Sequence, residues 1–157
     1  MSTRSCIIVK VRPSDMGQVI KFKESALPVK QERWGEGRKL NKEKPVELTG
    51  NYIGIYCHSD GYPSGVGNVL KKKFNNYEQV LNLVAGGHCS FVWFDCVRRY
   101  ATRKGEEWEY LTPKQGNTPK EVYEKIDCQY AYLFEEGEWL VNDFEGGGFK
   151  PYTGEEE

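Results

Sequence analysis

This chain lacks the features that would place it quickly. No apolar run approaches the ~18 residues of a membrane-crossing helix, and Met1-Ser2-Thr3-Arg4-Ser5 leads into no apolar stretch of signal-peptide length. We therefore expect a cytoplasmic protein with no membrane partner. Neither sign of charge dominates: 22 Lys and Arg stand against 23 Asp and Glu, a net charge of −1. That balance argues against the basic footprint of a dedicated DNA binder and against an acidic nucleic-acid mimic. There is no Gly-x-x-x-x-Gly-Lys-Ser/Thr loop and no Gly-x-Gly-x-x-Gly fingerprint, so phosphate binding of either familiar kind is not expected. The five cysteines are an odd set without a Cys-x-x-Cys pair, which suits reduced core thiols better than a disulfide framework. Hydrophobic residues are 38% of the chain, below the usual ~45–50%, so a single domain over 1–157 should carry polar excursions.

The apolar residues that are present cluster. Cys6-Ile-Ile-Val-Lys-Val11 is β-branched and reads as a strand. Residues 13–50 are lysine-rich and broken by Pro13, Gly17, Pro28, Gly35, Gly37 and Pro45; they read as an inserted polar excursion with short strands at Val19–Phe22 and Arg33-Trp34. In residues 51–58, Ile53, Ile55 and Cys57 alternate with Tyr52, Tyr56 and His58, the pattern of a strand with two different faces. Val66, Val69, Leu70 and Phe74 then line one face of a helix, and Tyr77, Val80, Leu81 and Val84 stripe a second one. Asn76 with Gln79 forms a capping box, and Gly86-Gly87 ends the second helix. Residues 89–98 are apolar and aromatic, reading as a strand or buried turn. Thr118-Pro119-Lys120-Glu121 starts a short helix to about Ile126. Cys128–Phe134 and Glu138–Asp143 flank a glycine turn and read as a hairpin, and 145–157 as a flexible acidic tail. Strands, then helices, then a closing hairpin imply an α+β fold: an antiparallel sheet of about four or five strands, two short helices packed on one face, and a C-terminal hairpin.

The stretch most loaded with chemistry is Tyr52–Gly67, a strand running through His58-Ser-Asp-Gly-Tyr-Pro into a helix start. If the strands at 6–11 and 51–58 pair antiparallel, Arg4 and Ser5 lie beside His58 and Asp60. Together with Tyr62 and the N–H groups of Gly65 and Gly67, they form a candidate ligand-binding site for a phosphate or carboxylate. The structural reading of the same residues is that Asp60 accepts bonds from its own turn, His58 pairs with it, and Arg4 closes a salt bridge. Glycines 65 and 67 would then let the helix approach the sheet.

Other groups carry less. Cys57, His58, His88 and Cys89, with Cys96 and Asp60 near them, are the available soft ligands, but strand neighbours face opposite ways, so no metal and no cofactor is expected. Cys89 beside His88 is the best case for a reactive thiol. Lys71-Lys72-Lys73 reads as the solvated face of its helix. Arg98 and Arg99, with Tyr100, Arg103 and Lys104, form a basic patch; Arg98, Arg99 and Trp34 are the candidate partner contacts. Trp93, Trp108 and Trp139 read as packing residues.

Several pieces resemble a group of small phage and prophage proteins. They are the Met-Ser-Thr-Arg-Ser start, the block from Ile55 to Gly67, the two helices to Val84, and Tyr130-Ala-Tyr-Leu-Phe134 with Glu138-Trp139. The chain departs from that group at Ser59, where a tryptophan is usual, and at Gly87-His88-Cys89-Ser90, where Gly-Asp and later Ser-Ser-Leu are usual; against it, residues 13–50 are an insertion. The resemblance implies a viral or mobile-element origin and a host-directed role, with counter-defence as one form. The expectation is a non-enzymatic accessory protein binding a host protein or a small anionic ligand such as a nucleotide. Two alternatives stay open: a small hydrolase or nucleotide-processing enzyme with His58 as base oriented by Asp60, and a self-associating virion-assembly protein.

Overall fold

The structure, a computed structural model, describes residues 3–34, 44–100 and 111–154, with the side chains of Arg33 and Trp34 excepted. Its centre is β1 (Ser5–Lys10), whose residues Cys6 to Val9 are all fully buried. A strand apolar on every position is covered on both faces and needs a neighbour on both edges. One neighbour is β5 (Tyr52–Cys57), antiparallel with Ser5 opposite Cys57; the other is β9 (Tyr130–Glu135), parallel with Cys6 opposite Ala131. From β9 the sheet continues through β10 (Glu138–Asn142) to β11 (Lys150–Pro151). From β5 it continues through β6 (Cys89–Val92) and β7 (Cys96–Tyr100) to β3 (Lys30–Trp34), while β8 (Lys114–Gly116) joins β5 at its other end. A separate pair joins β2 (Val19–Ile20) to β4 (Val46–Glu47).

The expected four- or five-stranded antiparallel sheet with two helices is therefore corrected to a nine-stranded mixed sheet, with three α-helices among the described residues. Three strand pairs are parallel: β1 with β9, β5 with β6, and β3 with β7. Reading order along the chain suggested hairpins only. It missed that the segment before β9 crosses the sheet, and that residues 13–50 send β3 to the far edge of the main sheet.

Helices cover both faces. α1 (Asn68–Lys73) and α2 (Tyr77–Ala85) pack Val69, Leu70, Val80, Leu83 and Val84 onto Ile7, Val9, Ile53, Ile55 and Cys57. α3 (Pro119–Tyr123) packs Val122 onto Cys6, Ile8, Ala131 and Leu133 on the other face. Gly54 makes room for it, since a Cβ there would lie 2.9 Å from the Val122 side chain. Both caps read from sequence form: Asn76 Oδ1 accepts from Gln79 N at 2.9 Å, and Thr118 Oγ1 from Glu121 N at 3.1 Å.

The end of the chain is docked as far as the structure describes it. Tyr152 is buried, donates its N–H to Trp139 O at 2.8 Å, and places its hydroxyl between Pro63 O and Asn68 Oδ1. This places one aromatic anchor inside the glycine-rich, acidic stretch 145–157 that was read as a tail; residues 155–157 lie outside the described residues.

Candidate functional site

β5 ends at Cys57 and the chain enters the bend through Asp60, a non-glycine residue in the left-handed region at φ 57°. The pairing of β1 with β5 brings the start of β1 to this bend, where Gly61 N–H donates to Thr3 O at 2.9 Å. The bend is closed on itself. Val66 N–H donates to Asp60 O at 2.8 Å, and Gly65 N–H to Tyr62 O at 2.9 Å; Gly67 N–H points to the same Tyr62 oxygen at 3.5 Å. From below, the fully buried Tyr132 donates its hydroxyl to Gly61 O at 2.7 Å, and Tyr152 reaches Pro63 O at 2.8 Å. The glycine N–H groups that would cradle an anion already have protein partners. Gly65 and Gly67 serve close approach: a Cβ on Gly65 would overlap Asp60 O, and one on Gly67 would lie 3.2 Å from the rings of Tyr132 and Tyr152.

The charged and polar residues of the expected pocket separate into three sets. Arg4 faces Asp127, with Nη2 3.4 Å from Oδ2, while Ser5 is fully buried. His58 Nδ1 lies 2.6 Å from the Tyr56 hydroxyl. Burial pushes the Tyr56 phenol up to about 12, and its hydroxyl is paired with His58 along the strand. Asp60 is engaged elsewhere: Oδ2 accepts from Trp93 Nε1 at 3.2 Å and Oδ1 from the Tyr62 hydroxyl at 3.4 Å. Asp60 therefore holds aromatic rings and does not orient His58.

Those rings form a surface. Trp93 and Phe94 sit at the tip of the β6–β7 turn, which Trp93 N–H closes onto Cys96 O at 2.8 Å. Tyr62, Trp93 and Phe94 are 39%, 42% and 44% exposed, far more than three neighbouring large aromatics need to be. Trp93 stacks on the buried Phe91 with centroids 3.5 Å apart, and the Arg98 guanidinium lies 4.8 Å from the Phe91 ring. On the other side Lys72 Nζ lies 5.8 Å from the Phe94 ring, which joins the lysine face of α1 to the same patch. Tyr62 was singled out from the sequence; Trp93 was read with Trp139 as a packing residue, a reading its exposure corrects, and Phe94 was not singled out. The available signal was Trp-Phe-Asp between two apolar runs, which marks a turn tip where aromatics cannot be core.

Of the expected partner contacts, Arg98 is half-buried and bonds Glu32 Oε1 through Nε at 3.2 Å and Nη2 at 3.0 Å. Arg99 is fully buried: it donates to Gln31 Oε1 and to Gly87 O at 2.8 Å, with its guanidinium 4.7 Å from the Phe22 ring. It is a structural cation under the residue 22–31 segment, unavailable to a partner. The Trp34 side chain, Arg103, Lys104 and Trp108 lie outside the described residues.

His88 fills a break in the sheet. β5 bonds β8 over Tyr52–Gly54 and β6 at Cys57, and at the rung between them Tyr56 N–H donates to His88 Nδ1 at 3.0 Å. A side chain replaces the missing strand carbonyl. Burial, with the Lys114 charge adding, lowers His88 from 6.5 to about 4, so it stays neutral as an acceptor. Cys89, beside it, is fully buried and accepts from Arg99 Nη1 at 3.5 Å. Among the described residues no group of three His, Cys, Asp or Glu side chains could hold a metal, and no helix is long and apolar enough to cross a membrane.

Compared with protein-family models, with curated proteins and with solved structures, the chain finds no match in any of the three.

Proposed function

We propose that this chain is a non-enzymatic binding protein, a phage or prophage accessory of the kind its sequence resembles, whose partner is a host protein docked on Tyr62, Trp93 and Phe94. The observation that carries the reading is the exposed aromatic surface built on a rigid bend, with Asp60 fixing two of its three rings. Tyrosine, tryptophan and arginine dominate the energetics of protein interfaces because they bury much area at small conformational cost. Lys72 beside Phe94 and Arg98 beside Phe91 favour a partner segment that offers apolar anchors flanked by acidic groups. The small-ligand reading loses its anion cradle to the internal bonds of the bend. The hydrolase reading loses its dyad, because His58 and Asp60 have different partners.

The test is comparative capture from a bacterial lysate with wild type and a Trp93→Ala/Phe94→Ala double variant, followed by binding with the purified partner. A partner bound by wild type and weakened at least about tenfold in the double variant is expected, since each lost anchor is worth about 1 kcal/mol or more. Equal binding by the two proteins, or turnover of a nucleotide substrate by wild type, rejects the reading.

A further inference from the structure

The end of α3 and the connection from β10 to β11 flank a groove at the entry to β9. It consists of two clefts, of about 570 Å³ and 390 Å³, with Cys128 and Phe144 in the walls of both. Phe144 is 42% exposed and sits in the left-handed region at φ 61°, where Asn142 Oδ1 accepts its N–H at 2.8 Å. Asn or Gly suits such a turn position better, so the ring stands against the local backbone preference. It meets the Tyr123 ring edge to face, with centroids 5.0 Å apart. The charges around these rings are one-sided. Glu124 and Asp127 line the larger cleft, and Asp143 and Glu145 the smaller. The lysine in these walls, Lys125, turns its ammonium onto Gln115 O at 2.6 Å, and Arg4 sits with Asp127 at 3.4 Å. Among the described residues no Lys or Arg pairs with Asp143 or Glu145. Asp143 Oδ1 accepts the Glu145 N–H at 2.9 Å, which holds the two acidic residues beside Phe144. Aromatic faces next to carboxylates attract a cation through the ring quadrupole and through charge together.

We propose that this groove docks a partner's peptide segment rich in arginine or lysine, its cations set against the Phe144 and Tyr123 rings and the Asp143 and Glu145 carboxylates. The two clefts together offer far more room than one small ammonium ion fills, which favours a chain carrying several cations. In the sheet, β1 and β5 lie between β9 and the strand that leads to Trp93. None of Tyr62, Trp93 or Phe94 lines the groove, so this proposal stands apart from the aromatic docking surface.

The experiment uses the full chain and a fluorescent, end-blocked peptide in which several arginines alternate with glycines. Its neutral isostere carries citrulline in place of each arginine. Read by anisotropy at about 50 mM salt, the arginine peptide should bind at least about tenfold tighter than the citrulline one, and raising the salt should weaken it. Asp143→Asn/Glu145→Gln removes two charges and keeps an Oδ1 acceptor for the N–H of residue 145. This variant and Phe144→Ala should each bind the peptide at least about fivefold more weakly. The charge variant decides alone if Phe144→Ala does not fold. Trp93→Ala/Phe94→Ala should bind it as wild type does. No binding of the arginine peptide up to about 1 mM, equal binding of the citrulline peptide, or wild-type affinity in the charge variant overturns the proposal. A loss in Trp93→Ala/Phe94→Ala equal to that in the groove variants overturns the assignment to this groove. Tetramethylammonium that binds as tightly as the peptide overturns it in favour of a small cation.

Discussion

His88 gives the sharpest test of the physical account, because one imidazole replaces a strand at the break between β8 and β6. Its Nδ1 accepts the Tyr56 N–H at 3.0 Å, and a protonated ring would set a donor against a donor. The folded pKa is lowered from 6.5 to about 4, so the unfolded chain takes up this proton first as pH falls. The contribution to stability is present above pH 6.5 and is lost between there and pH 4. A shift of that size, integrated from pH 7.5 to pH 4.5, removes about 2.5 kcal/mol. With a urea m-value of about 2 kcal/mol/M, the midpoint should move down by roughly 1 M beyond the drift from carboxylates. His88→Gln keeps an acceptor that does not titrate, so its midpoint should fall less over the same interval by that amount. His88→Phe leaves the Tyr56 N–H unsatisfied and should cost about 1–3 kcal/mol already at pH 7.5. Parallel pH dependence of wild type and His88→Gln between pH 6.5 and 4.5 would refute the assignment of His88 as a neutral acceptor.

Two further substitutions probe the bend and the buried cation. Gly65→Ala drives a Cβ into the Asp60 carbonyl oxygen; a loss of about 1–3 kcal/mol is expected, read as a fall in Tm of roughly 3–10 °C, and an unchanged Tm would show that the bend is looser than described. Arg99→Met strips the donors from Gly87 O and Gln31 Oε1 inside the protein and should cost about 2–4 kcal/mol by urea unfolding, whereas Arg98→Ala, which breaks a half-exposed pair with Glu32, should cost under about 1 kcal/mol. Equal losses for the two arginines would contradict their different burial.

Local structure was legible in the sequence because its causes are local. The Asn76 and Thr118 caps, the stripe of Val69, Leu70, Val80 and Val84, the pairing of Ser5 with Cys57, and the Glu136-Gly137 turn each follow from residues a few positions apart or from one antiparallel register. The candidate site was legible only as a location. The sequence put Arg4, His58, Asp60 and Tyr62 near one end of β5, but pairing them required the other elements. Trp93 takes Asp60 from the β6–β7 turn, Tyr56 takes His58 along the strand, and Asp127 takes Arg4 from the segment before β9.

By itself, the amino-acid order settled β1, β5, β9, β10 and the three helices with their caps, since propensity, capping and apolar period act over a few residues, while β4, β8, β11 and the division of 89–98 into β6 and β7 went unread. Tertiary structure alone decided the strand order, the parallel partners of β1, β5 and β7, and the use of each polar side chain. Those outcomes depend on burial and on contacts between residues 30 to 125 positions apart, whose energies no local pattern records. Adjacent Arg98 and Arg99 read alike in sequence, yet one is a surface ion pair and the other is fully buried, because successive side chains on a strand face opposite sides of the sheet.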